Sequence, residues 1–268
     1  MKPRISRWHH CVANTLTKGL LFSMLLLALA VSAYAGDWEI VFQDTFNRPD
    51  DYTDINANLP TGQSGSMVPV DYQIERDKSW HKLGVSNNFA VFQQSNSMIG
   101  CMPDYSFDEH TTFAVEVKAD VTGMRHDRHV GLAIGGDSSI GSPWDFDTRN
   151  VNTSYGIRIQ GDGDVLIYTN GFSAGSGSVG SWPAGFNTIR VEVATADFNA
   201  GTEATVEISV NDTTATLPAG ADTFRWLTTD SNYVTLEFYD NTVDSDFFAD
   251  DFTVYRQRPP VGSVVIIK

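Results

Sequence analysis

Beyond residue 36, apolar side chains return at every second position over most of the chain, the period of a half-buried β-strand. Residues 112–121 show it most clearly. Phe113, Val115, Val117, Ala119 and Val121 share one face there, with Glu116, Lys118 and Asp120 on the other, so one face is core and the other wet. Further strands are predicted over 88–94, 97–102, 130–134 and 233–239. Residues 155–160 and 165–169 flank Gly161-Asp162-Gly163-Asp164, a hairpin signal. A second hairpin is predicted from 187–194 to 204–210, its inward sets being Ile189, Val191, Val193 and Val206, Ile208, Val210. Residues 47–82 carry Pro49, Pro60, Gly62, Gly65 and Pro69 and read as loop with short edge pieces. Residues 171–183 are Gly/Ser-rich and read as a mobile loop inside the domain, because strand patterning resumes directly after them. No convincing helical period appears in this part. The expectation is an all-β fold, a two-sheet antiparallel sandwich.

The two ends of the patterned region share a device. In the closing strand, 248–255, period-2 alternation puts Phe248, Asp250, Phe252 and Val254 on one face. In the opening stretch Asp44 shares its face with Ile40, Phe42 and Phe46. The two strands are expected to lie side by side. A carboxylate turned toward an apolar layer is costly unless a cation, N–H donors or a metal meets it.

Residues 1–35 read as a secretory signal: Lys2, Arg4, Arg7 and Lys18 precede the apolar run 20–31 and the small-residue site Ala33-Tyr34-Ala35. The run is short for a membrane span, so export without stable membrane insertion is expected. Cleavage would remove four of the 18 basic residues and none of the 33 acidic ones, taking the formal charge from −15 to −19. So acidic a chain is a poor partner for nucleic acid and suits divalent cations. Of the two cysteines, Cys11 lies in the signal and Cys101 stands alone, which leaves no internal disulfide. The remaining 233 residues suit one sandwich domain.

Phe42-Gln43-Asp44-Thr45-Phe46-Asn47-Arg48-Pro49-Asp50, the evenly spaced strands, and the closing Phe248-Ala249-Asp250-Asp251-Phe252-Thr253-Val254 together resemble the concanavalin A-like (laminin G-like) jelly-roll domains of secreted bacterial proteins. The resemblance implies a jelly-roll sandwich over 36–258 with a short tail at 259–268, neighbouring terminal strands, and often a calcium ion at the rim. That fold serves lectins, carbohydrate-binding modules, glycosidases and lyases, so it does not choose an activity.

Three groupings carry candidate chemistry. Asp240, Asp244, Asp246 and Asp250, with Asp44 and Asp50 on the opening side, supply the hard oxygen ligands that Ca2+ takes; the same aspartates also suit turn capping. Arg125-His126-Asp127-Arg128-His129 is a basic island that suits an anionic sugar group, a transition metal or a solvated turn. Trp144, Asp145 and Arg149, with Tyr155, combine an aromatic plate with charged groups, the equipment of sugar recognition. Trp80, Trp182 and Trp226 lie near turns and read as rim or core packing. No catalytic residue is assigned. The Glu-x-Asp-x-x-Glu strand of jelly-roll glucanases is missing, Glu192, Glu207 and Glu237 are single outward glutamates, and Tyr155, Arg158 and Tyr168 have no matching histidine for a lyase. The expected protein is an exported binder of carbohydrate or cell-surface polymer with a structural calcium. A glycoside hydrolase or polysaccharide lyase of the same fold and a non-catalytic structural surface protein are the alternatives.

Overall fold

The computed structural model describes residues 37–58, 72–76, 82–94, 97–103, 111–120, 128–136, 153–180, 183–227, 233–240 and 245–258. The strands among these residues are β1 (Trp38–Asp44), β2 (Tyr72–Arg76), β3 (Lys82–Ser86), β4 (Phe89–Gln94), β5 (Ser97–Pro103), β6 (Thr112–Asp120), β7 (Arg128–Gly136), β8 (Tyr155–Gln160), β9 (Asp164–Thr169), β10 (Phe172–Ser178), β11 (Phe186–Thr195), β12 (Glu203–Val210), β13 (Thr213–Thr214), β14 (Thr223–Arg225), β15 (Tyr233–Asp240) and β16 (Ser245–Gln257). No helix occurs among the described residues.

Two sheets result. One runs β13-β12-β11-β6-β16-β4-β3, with β1 joining at β16 and β14 at β12; the other runs β10-β9-β8-β7-β15-β5-β2. The strand pairs with a defined register are antiparallel. The architecture is an all-β, two-sheet antiparallel sandwich. By its contacts the chain separates into a unit spanning Ile40–Arg256 and another gathering Met1–Glu39 with Gln257–Lys268. In the latter, the Arg258 N–H donates to the Asp37 carbonyl at 2.9 Å and its guanidinium meets Glu39 at 3.1 Å.

The inward faces follow the two-residue period. Val115, Val117 and Ala119 of β6 and Ile189, Val191 and Val193 of β11 are buried. Phe92 of β4 meets Phe238 of β15 with ring centroids 4.2 Å apart, tying one sheet to the other. A second aromatic knot joins Tyr155, Phe224, Trp226 and Phe198. Trp226 is fully buried and its indole N–H donates to Thr195 Oγ1 at 3.0 Å. That makes it a core residue.

The strict alternation expected of the closing strand breaks. Between Asp250 and Thr253 the register against β6 shifts, so that Asp251 and Phe252 stand opposite the single residue between Lys118 and Glu116. This is a β-bulge, and Asp251 within it has a positive φ of 48°. Phe247 and Ala249 point inward before the bulge, Phe252 and Val254 after it. Asp250 therefore lies with Phe248 on the outer face and not in a row with Phe252. A periodicity argument cannot see an inserted residue.

A further departure is β10, where a loop was expected. Asn170 and Gly171, at φ 53° and 77°, form the tight turn that returns β9 into β10. The Gly/Ser composition suits an edge strand.

On the other sheet, β3 carries the opening loop. Asp51 and Val85 exchange both backbone hydrogen bonds, at 3.0 and 2.8 Å, and a Cβ on Gly84 would stand 2.0 Å from the Asp51 carbonyl oxygen and 2.4 Å from the Tyr52 carbonyl carbon. Backbone on both sides cannot give way cheaply. Gly84→Ala is expected to cost about 1–3 kcal/mol in urea unfolding, whereas Gly136→Ala, where an added Cβ meets nothing within 4 Å, has no such clash to resolve.

Candidate functional site: the outer face of the seven-stranded sheet

On β7, Val130, Leu132 and Ile134 point into the sandwich, so His129, Gly131 and Ala133 face outward. Register then fixes their neighbours. Gly131 stands between Glu237 of β15 and Arg158 of β8, while His129 stands between Tyr239 and Gln160. A glycine between the two long side chains leaves room for them to meet above it. The Arg158 guanidinium donates to Glu237 Oε1 at 2.9 Å, and His129 Nε2 lies 2.7 Å from the same oxygen. Two nitrogen groups thus converge on one carboxylate oxygen, with the histidine in the tautomer that carries hydrogen on Nε2.

Aromatic rings bracket the trio. The His129 ring stacks on Tyr239 at 5.1 Å and 13°, and the Arg158 guanidinium sits 5.5 Å from the centre of the Tyr168 ring. Glu237 is 0% exposed, His129 4% and Arg158 6%, while Tyr168 and Tyr239 are half-buried. An ion pair so deeply withdrawn from water requires its partners to remain in place. Glu237 keeps its outward parity but is not the solvent-facing glutamate expected, and His129 is not part of a solvated turn. The histidine judged missing beside Arg158 and Tyr168 comes from β7. Along the chain His129 groups with Arg125, His126, Asp127 and Arg128, and only strand register reveals its pairing with Glu237 and Arg158.

The predicted ligand residues fare differently. Trp144, Asp145 and Arg149 lie outside the described residues. Tyr155 is 0% exposed; its hydroxyl donates to the Ala221 carbonyl at 2.7 Å, and the ring packs on Phe224. It is a core tyrosine with no surface for a ligand. Burial raises its pKa well above the usual value, with the Asp222 charge adding to the effect.

The calcium set also divides. Asp44 does sit inward, close to Asp250 electrostatically, and β1 does pair with β16, where Phe42 meets Phe252 edge-on at 6.0 Å. The Asp44 carboxylate is already taken. Arg48 Nη1 donates to both oxygens at 2.7 and 2.9 Å, the Phe46 N–H donates at 2.7 Å and the Tyr72 hydroxyl at 3.0 Å. Arg48 stands where an ion would stand, so Asp44 does not fit a calcium ligand. Asp50 accepts the Asn87 N–H at 2.9 Å, a turn-capping role. Asp250 accepts the Asp251 N–H at 2.9 Å, and the Asp251 carboxylate pairs with Lys118. Asp244 lies outside the described residues, as do the side chains of Asp240 and Asp246. Among the described residues no three His, Cys, Asp or Glu side chains are grouped to hold a metal ion.

No family model matches the sequence, and neither does any curated protein sequence. Solved structures do match in fold. A mutant form of the Emp46p carbohydrate recognition domain aligns with TM-score 0.52 at 8% identity, covering 70% of this chain and 89% of that one. The exoplasmic/lumenal domain of VIP36 in its Ca2+/Man2-bound form aligns with TM-score 0.50 at 8% identity, covering 79% and 89%. The chain shares with them the fold of a two-sheet antiparallel jelly-roll sandwich. At such identity the likeness establishes fold alone.

Two outcomes follow from the titrating groups. Burial first, then the charges of Asp251 and Asp44, raise the Asp250 pKa above its ordinary 3.8, so the fold favours the protonated carboxyl and its contribution is lost as pH rises through the folded value. Asp250→Asn keeps the oxygen that accepts the Asp251 N–H; it should melt higher than wild type at neutral pH, the gap closing below the unfolded value. For Tyr155 the raised pKa means its contribution is complete below pH 10 and lost above it. Tyr155→Phe should cost about 1 kcal/mol at pH 7 and show a shallower alkaline decline in denaturant titrations.

Proposed function

We propose that the protein is an exported glycan-binding sandwich whose ligand meets the outer face of the seven-stranded sheet. The observation that carries this reading is the joint presence there of half-buried tyrosine rings and the His129–Glu237–Arg158 cluster. The half-buried tyrosine rings provide apolar surface for a sugar ring and hydroxyls for its polar groups, and the buried ionic cluster beside them holds the rings in place. A purely structural surface protein would not need charges buried on an outward sheet face. Trp144, Asp145 and Arg149 belong to residues 137–152, which join β7 to β8, the strands that carry His129 and Arg158. The signal-like residues 1–35 supply the export. No helix among the described residues is long and apolar enough to cross a membrane. A structural calcium, if bound, falls to the 240–246 segment, and its removal by chelator would lower the melting temperature.

The same histidine favours a second reading, a glycoside hydrolase or polysaccharide lyase, because His129 adjoins the Glu237 carboxylate and the Tyr239 ring, groups capable of proton transfer. Incubation with a panel of neutral and acidic polysaccharides separates the two, since only an enzyme shortens the polymer.

Glycan-array binding followed by calorimetry tests the main reading. Tyr168→Ala should weaken the best ligand by about tenfold, the scale of one lost aromatic contact of 1–1.5 kcal/mol, with little change in melting temperature. Absence of binding across the array, or unchanged affinity in Tyr168→Ala and Tyr239→Ala, would refute it.

A further inference from the structure

The outer strand region of the nine-stranded sheet holds a recess of about 510 Å3, lined by Val206, Glu207 and Ile208 of β12 and by the returning chain from Thr214 through Leu217 and Pro218 to Asp222. It exists because a strand partner leaves and comes back. The Ala215 N–H donates to the Ile208 carbonyl at 2.8 Å, the chain swings away, and the Asp222 carbonyl then accepts the Val206 N–H at 2.8 Å. The detour is held off by the other sheet: Thr216 and Ser178 exchange backbone hydrogen bonds at 2.9 and 3.1 Å. The opening is thus built into the fold, and its size is that of a small-ligand pocket.

Its chemistry is one-sided. Residues 206 and 208 of an antiparallel edge direct their N–H and C=O to the same side. The Val206 N–H and the Ile208 C=O are used by the returning chain. The Val206 C=O and the Ile208 N–H face the gap with no backbone partner across it. Glu207 and Asp222 bring two carboxylates, Ala215, Leu217 and Pro218 an apolar wall, and no basic residue lines the recess. A primary ammonium has three N–H donors for three acceptors, the two carboxylates and the Val206 carbonyl. A hydroxyl beside it would accept from the Ile208 N–H.

We infer that this recess is a second binding site, separate from the outer face of the seven-stranded sheet, that takes a primary amine with a neighbouring hydroxyl. That chemistry is shared by an unacetylated amino sugar and an ethanolamine headgroup. The site depends on the full sandwich, so the test uses the whole protein. Titration with glucosamine and with ethanolamine, followed by NMR shifts or calorimetry, is expected to show binding; a preference for the first points to a sugar source and for the second to a lipid headgroup. N-acetylglucosamine and glucose, which lack the ammonium, should bind at least about tenfold more weakly. The double variant Glu207→Gln and Asp222→Asn, at exposed positions, should lose the amine and keep its melting curve. Ala219→Phe fills the recess while keeping both carboxylates, and should also abolish binding. No binding of either amine, equal binding of the acetylated sugar, or unchanged binding in either variant would overturn the inference.

Discussion

Strand β16 has to satisfy three neighbours at once, and the inserted residue at its centre is what permits this. Its first part pairs with β4, its length with β6, and β1 joins it as well. A strand of thirteen residues with unbroken alternation would keep one parity throughout, and either Phe247 and Ala249 or Phe252 and Val254 would be turned to water. The extra residue reverses parity midway, and all four face the interior. The cost is a positive φ at Asp251 and a pair of adjacent carboxylates. Lys118, directly across the ladder from Asp250, meets the Asp251 carboxylate. The bulge thus fixes both how the terminal strands close the sheet and which way the acidic side chains point.

The two aspartates with matching aromatic frames consequently have different physical solutions. Asp44 is inward and needs a counter-charge, which Arg48 provides four residues later in a forked pair whose other arm reaches the Ile55 carbonyl at 2.7 Å. The pair is local in sequence and anchors the opening loop. Asp250 is shifted outward, where its carboxylate accepts the Asp251 N–H. On the opposite sheet the same rule operates at long range: Glu237 is the buried anion, and its partners come from strands 79 and 108 positions away. Local pairing stiffens a loop, while the distant pairing gathers three strands onto one polar spot.

Legibility from sequence follows this division. The 112–121 strand, the hairpins that became β8–β9 and β11–β12, and the closure of the two ends could be read because each rests on a two-residue period or a turn signal lying within one stretch. What failed depended on register. One inserted residue moved Asp250 to the other face, a turn at Asn170-Gly171 made β10 from residues with no apolar pattern, and His129 was grouped with His126 when its real neighbours are Glu237 and Arg158. The alternation of β8 did separate Tyr155 from Arg158, which is where the structure puts them, one in the core and one outward. It could not reveal that the outward arginine would be withdrawn from water.

A jelly roll has two kinds of place where function can be added without disturbing its core: the outward faces of its sheets, and the edges where pairing lapses. Here the face of the seven-stranded sheet is specified by side chains, an ionic trio held between two tyrosines, and changing it alters charges buried at positions the core does not need. The edge recess at β12 is specified by backbone, because the detour between Ala215 and Asp222 leaves peptide groups facing the gap whatever the side chains are. The two differ in chemistry, since the first buries its charges beside half-buried tyrosine rings and the second is rimmed by carboxylates and backbone groups. Each can change in sequence without altering the other, because they lie on different sheets.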